Sequence, residues 1–289
     1  MSALRVARIP YLNSVPFYQN LEGAGYELVD MPPRELGRLA IDRRVDAGIL
    51  SLCDLHRTEA FEPLGSLGIS VDGPAHSVLL FTRGAPTDLA GATIAITGET
   101  STSFPLLRLL LEQRMGVVPG EYVSRAAGPG PDDGAVLLIG DAALRLAAAG
   151  GLVPGLADYS AELISLARPT EGEWTHVMDL GTAWRRWQGL PFVFARWATD
   201  RRVSREDRAE LSDRLERSLA DSLVGLLPLA ISNCASAGLD GEAARAYLAG
   251  FGYECGPREK AGQGTFLGLL EATDWWEPES LAVPAGIGE

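Results

Sequence analysis

The chain has 289 residues, 46% hydrophobic and 22% charged, with a mean hydropathy of +0.06 and a net charge of −13. That length suits two lobes of ordinary size better than one minimal core. The acidic balance argues against nucleic acid and anionic membrane surfaces as partners, because both would repel it, yet it leaves a small organic anion open, since local donors can override a screened surface field.

The opening MSALRVARIPYLNS holds one short apolar stretch broken by Arg5 and Arg8, with no signal-peptide core. No later run reaches the length of a membrane span, so a cytoplasmic protein is expected. Cys53, Cys234 and Cys255 are odd in number and far apart, which suits reduced thiols packed as small hydrophobes. Only Lys260 among the 25 basic residues is lysine, and it stands in the polar stretch REKAGQG. Schiff-base chemistry therefore has one poor candidate.

In chain order, residues 4–9 alternate as a strand and end in the loop PYLNS. Residues 15–21 start a helix with Pro16 in its first turn. Residues 26–29 form a second strand, and residues 34–43 place Leu36, Leu39 and Ala40 on one helical face. VDAGILSL (45–52) is nearly continuous and apolar, as a strand covered on both faces is. This β-α-β-α-β order predicts a parallel sheet with right-handed crossovers. SVLLFT (77–82) reads as another strand, followed by a turn over residues 84–89. A second set follows: the strand ATIAIT, a helix over residues 104–115, the strand AVLLIG and the helix DAALRLAAAG. PFVFARW (191–197) is one more strand. Beyond it the chain turns helical, with Leu211, Leu215, Leu219 and Leu223 at four-residue steps. Ser204 and Asp207 make a capping box for that helix. A further helix over residues 241–249 stops at Gly250.

The fold class is thus α/β with two lobes joined by a hinge. The expected crossings lie near Arg83 and Leu190. They give one lobe from residues 1–83 and 191–289 and a second from residues 84–190, with the C-terminal helices on the first. That is the plan of a type II solute-binding protein, a hinged clamp.

His56, His76 and His176 are isolated, so a zinc site is not expected. The sequence has no G-x-S-x-G elbow, no Walker lysine and no G-x-G-x-x-G between a strand and a helix. Chemistry without metal or cofactor, or binding alone, is the expectation. Four segments should meet in the cleft, because loops after the carboxyl ends of parallel strands line the crevice of an open α/β sheet. They are Tyr11-Leu12-Asn13-Ser14, Ser51, Gly73-Pro74-Ala75-His76-Ser77, and Thr100-Ser101-Thr102-Ser103 at a helix start. Each has a bland alternative: an Asn/Ser turn, a strand end, a crossing strand, a helix cap. The last offers four hydroxyls where capping needs one, and free N–H groups there suit a carboxylate.

IPYLNSVPF, VDAGILSL, GPAHSVLLF, ETSTSFPLLRLLL, VLLIGDAAL and DLGTAWRRWQGLPFVFARW follow one another in an order that resembles the chorismate dehydratases of the futalosine route to menaquinone. The resemblance covers most of residues 5–200 and loosens over the helical tail. The overall pattern of the sister dihydroxynaphthoate synthases, which use an active-site histidine, is not seen. The resemblance implies a cofactor-free lyase that takes water from chorismate to give 3-enolpyruvylbenzoate. It implies catalytic roles for Asn13 and Ser77, holding the enolpyruvyl side chain and the leaving hydroxyl. Ser101, Thr102 and Ser103 would clamp a carboxylate, with Tyr11, Ser14, Ser51, Asp141 and Phe192 as further substrate contacts. The substrate's own enolpyruvyl carboxylate or His76 would take the proton. Asp141 has a plainer reading as a helix cap, and Phe192, like Trp184 and Trp187, as packing beside a hinge. The rival of another class is a non-catalytic binding protein for a small carboxylate.

Overall fold

A computed structural model describes residues 3–97, 100–125, 128–273 and Trp275. Glu99 of the ETSTSF motif and residues 276–289 of the expected first lobe lie outside the described residues.

Among the described residues, two six-stranded mixed sheets, each covered by helices, make an α/β fold. The first sheet begins with β1 (Arg5–Arg8), β2 (Glu27–Asp30), β3 (Ala47–Ser51) and β4 (Phe61–Val71). The chain then builds the second sheet from β5 (Val78–Thr82), β6 (Thr93–Ile96), β7 (Glu121–Ser124), β8 (Ala135–Ile139), β9 (Ile164–Ser165) and β10 (His176–Asp179). It returns to complete the first with β11 (Phe192–Asp200) and β12 (Gly252–Glu254). The strand orders are β12-β4-β11-β3-β1-β2 and β7-β6-β8-β5-β10-β9.

β1 pairs in parallel with β2 and β3, as the β-α-β reading requires. All five residues of β3 are buried, which explains its unbroken apolar run. Between β2 and β3 lies α1 (Pro33–Ile41), which buries Leu36 and Ala40 and has Pro33 where a missing N–H costs nothing. The helix expected at residues 15–21 is instead a 3₁₀ turn, Leu12–Phe17, with Pro16 inside it. Leu52 opens a helix rather than closing β3: α2 (Leu52–Arg57) is capped by the Ser51 hydroxyl, which accepts the Asp54 N–H at 3.1 Å.

SVLLFT sits in the middle of the second sheet, antiparallel to both β8 and β10. The chain therefore leaves the first sheet at residues 72–77, ahead of the expected crossing near Arg83. A doubly buried strand carries no mark of which sheet it joins, so local pattern had no means of choosing. The helix predicted over residues 104–115 is α3 (Ser103–Arg108), which continues as a π turn through Arg114. α4 (Gly140–Ala149) follows β8, and α5 (Leu180–Gln188) follows β10 and ends on Gly189 at φ 71.

α6 (Arg205–Val224) opens on the expected Ser204 cap and sends Leu211, Leu215 and Leu219 into the first core beside Phe17 and Trp197. α7 (Leu226–Asn233) and α8 (Gly241–Ala249) pack with Leu12 of the first lobe and Leu144 of the second. α9 (Pro257–Thr273) adds Phe266 and Leu270 to a cluster with Trp184 and Phe192. The C-terminal helices thus tie both lobes together instead of lying on the first alone.

The crossing is held by Asp179. This buried residue caps α5 through the Thr182 N–H (2.9 Å) and reaches across to the N–H groups of Ala75 (3.0 Å) and His76 (2.7 Å). Asp72 pairs nearby with Arg185 of α5 (2.6 Å) and Arg258 of α9 (2.7 Å).

Candidate active site

The two lobes line a pocket between them. The first lobe supplies Ile9, Tyr11, Asn13 and Ser14 after β1, Ile49 and Ser51 of β3, and Phe194 and Phe251. The second supplies Ser77 and Val78, the run Thr100 to Ser103, and Ile139 and Gly140. Apolar walls thus carry a few convergent polar groups, the make-up of a site for a small organic molecule.

Eight of the ten residues expected from the sequence line this one space: Tyr11, Asn13, Ser14, Ser51, Ser77, Ser101, Thr102 and Ser103. Their groups are not equally available. The Ser14 hydroxyl donates to the carbonyls of Ile9 (2.6 Å) and Tyr11 (2.8 Å) and so shapes the loop that presents Asn13. Thr100 caps the Ser103 N–H (3.2 Å), and the Thr102 hydroxyl accepts the Cys53 N–H across the lobes (3.2 Å). The Ser51 hydroxyl donates to Asp54 (2.7 Å).

Two expected contacts are corrected. Asp141 does not line the cavity. Its carboxylate accepts the Leu12 N–H (3.1 Å) and the Ser236 hydroxyl (2.6 Å), locking the YLNS loop to α4 and the C-terminal helices. It makes no side-chain cap for α4 either. Phe192 is in the core, edge-on to Trp184 (5.2 Å) and Phe266 (4.9 Å). A register shift between Val193 and Ala195 brings Phe194 to the cavity instead, as a bulge beside a site re-aims a side chain.

The lobes are in close contact here. Gly140, at φ +61, faces the Tyr11 ring so closely that a Cβ would meet ring carbons at 3.0 Å. Its N–H donates to the Ser77 carbonyl at 2.8 Å. His76 is also left-handed, at φ 58, and its ring packs edge-on against Tyr159 at 4.3 Å. Burial pushes His76 down to about 4, so the ring is neutral near pH 7. It does not line the cavity, which weighs against it as the proton acceptor.

Sequence reasoning missed Tyr247. It lies on α8, 170 positions from Ser77, and its buried hydroxyl donates to Ser77 Oγ at 2.8 Å. Ser77's own proton goes to the Ala75 carbonyl at 3.3 Å, a long bond that is readily exchanged for a ligand. Tyr247→Phe is expected to lower turnover about three- to tenfold with little change in fold, the worth of one ordinary hydrogen bond. Steady-state rates and a thermal melt on the same preparation check this.

Two α/β lobes clasping one polar-tipped cavity define a clamp of the periplasmic-binding-protein kind. The fold matches a crystal structure from Archaeoglobus fulgidus with a TM-score of 0.72 at 19% identity, over 94% of this chain and 98% of that one. It also matches the alkanesulfonate-binding protein of Xanthomonas axonopodis pv. citri bound to MOPS, with a TM-score of 0.65 at 15% identity, over 98% of this chain and 96% of that one. The chain belongs to the menaquinone biosynthesis family, whose model matches residues 4–272. A chorismate dehydratase of Thermus thermophilus is 35% identical over 192 residues, a match spanning 65% of this chain and 66% of that protein. Among the described residues, no single helix is long and apolar enough to cross a membrane.

Proposed function

We propose that this protein is a chorismate dehydratase, acting in the cytoplasm, that eliminates water from chorismate to give 3-enolpyruvylbenzoate. The observation that carries the reading is the meeting of Asn13 from one lobe with Ser77 from the other on a single cavity whose other polar groups are mostly hydroxyls. Family membership and the Thermus relative support it.

The chemistry asks for little acid–base power. The ring hydrogen is vinylogously acidic, because negative charge spreads to the ring carboxylate, and loss of the adjacent hydroxyl gains aromaticity. Positioning and electrostatic support are the main needs. Asn13 and Ser77 hold the enolpyruvyl side chain and the leaving hydroxyl. The Thr100 to Ser103 run takes a carboxylate, and the substrate's enolpyruvyl carboxylate removes the ring proton. Phe194 and Phe251 give the ring an apolar bed.

Purified protein incubated with chorismate is expected to produce an aromatic absorbance, with one product identified by mass. Binding of chorismate without product would identify a carrier instead.

A further inference from the structure

Asp54 is a buried carboxyl immediately behind the cavity wall, 7% exposed, with no part in the reaction as described above. Ser51 of the first lobe donates to its Oδ2 at 2.7 Å, and Ser101 of the second lobe approaches it from the other side. Both serines line the cavity. Space for the carboxyl comes from Gly37 on α1, where a Cβ would run into it. The charged groups facing it are Arg57 on its own helix and Arg34 on α1, with the Cys53 thiol beside it. Burial outweighs both arginines and both serine hydroxyls, and it raises the carboxyl above its ordinary range.

A serine hydroxyl has one proton and two lone pairs. One Ser51 lone pair is filled by the Asp54 N–H. When Asp54 is charged, the Ser51 proton points at it, and the cavity meets only a lone pair. When Asp54 is protonated, its acid proton fills that second lone pair, and the Ser51 proton is released toward the cavity. The charge on Asp54 therefore sets whether this wall accepts or donates.

We propose that Asp54 and Ser51 form a proton relay that serves the leaving hydroxyl. The inference rests on the dehydratase reading. The ring C–H proton passes to the enolpyruvyl carboxylate, and the C–H pair becomes the new ring double bond. The C–O bond breaks with its pair on oxygen, and that oxygen takes the Ser51 proton while Ser51 takes the Asp54 proton. Water leaves, the enolpyruvyl carboxyl returns its proton to solvent, and Asp54 is reprotonated from solvent. Ser51 touches the substrate; Asp54 is the positioning residue behind it.

The test is steady-state turnover of chorismate from about pH 5 to about pH 9 by the wild type, Asp54→Asn and Ser51→Ala. Asparagine keeps the shape and can donate to Ser51 but has no acidic proton to pass on. Asp54→Asn is expected to keep KM within about threefold, lose about 100-fold in kcat, and lose the alkaline limb of the wild-type kcat profile. Wild-type kcat in Asp54→Asn, or a surviving alkaline limb, overturns the relay while leaving the dehydratase reading intact. If Asp54→Asn does not fold, Ser51→Ala decides: the relay requires the alkaline limb to vanish there, and its persistence overturns the relay. A wild type that makes no product overturns both.

Discussion

Ser77→Ala is expected to lower the turnover of chorismate by about 10²–10³-fold, the usual loss when one preorganised donor is removed from developing charge. Asn13→Ala should fall in the same range. In both, the loss belongs to kcat more than KM, because the charge they serve grows only as the C–O bond opens. Unchanged turnover in both variants would remove them from the reaction. Ser77→Ala also has a second effect. It strands the Tyr247 hydroxyl, which is wholly buried, and an unsatisfied buried donor costs about 1–3 kcal/mol. Adding Tyr247→Phe should return most of that stability and none of the turnover. Thermal melts and rates on the single and double variants separate the two effects.

Much of the fold was legible in the sequence because its strands obey simple rules. β3 and β5 are continuous apolar runs, and α6 declares itself by leucine spacing and a Ser204 cap. β4 was missed for a physical reason. Its sequence FEPLGSLGISV carries Pro63, Gly65 and Gly68, and its pairing with β11 slips register in two places. A strand broken by bulges has no steady period of two. The same bulging exchanged Phe192 for Phe194, since alternation alone cannot show where a strand gains a residue.

The site divided along similar lines. Asn13, Ser51 and Ser77 stand at strand ends or in the loops beside them, where an α/β crevice draws its groups, and such positions can be read locally. Tyr247 and Asp54 cannot be found that way. Tyr247 matters because α8 comes back to Ser77 from the far end of the chain. Asp54 matters because Ser101 approaches it from the other lobe. Asp141 shows the converse. An acid in a turn after a strand looks like a ligand contact until the fold reveals that Leu12 and Ser236 already occupy it.

The largest stability effect is expected at the crossing. Asp179→Ala should cost about 3–5 kcal/mol, because it leaves the N–H groups of Ala75, His76 and Thr182 without their acceptor in a buried place. The melting temperature should fall by roughly 10 °C. The pH dependence gives a sharper check. His76 titrates near 4 when folded against 6.5 in the open chain, so between those values the unfolded state binds more protons. Its contribution is present above pH 6.5 and is lost as pH falls toward 4. Burial raises Asp179 from 3.8 to about 6 against the backbone donors around it, so there the folded state holds the extra proton. That contribution is present below pH 3.8 and is lost as pH rises through 6. Each effect amounts to about 3 kcal/mol over its window, and the two oppose one another between about pH 4 and 6. In the wild type their slopes therefore largely cancel there. His76→Asn, which tolerates the left-handed backbone, leaves the Asp179 contribution unopposed, and its stability relative to the wild type should decline as pH rises. Asp179→Ala leaves the His76 contribution unopposed, and its stability relative to the wild type should climb. Denaturant titrations at four or five pH values measure both slopes, and slopes of the same sign would mean that the hinge pair does not titrate in this way.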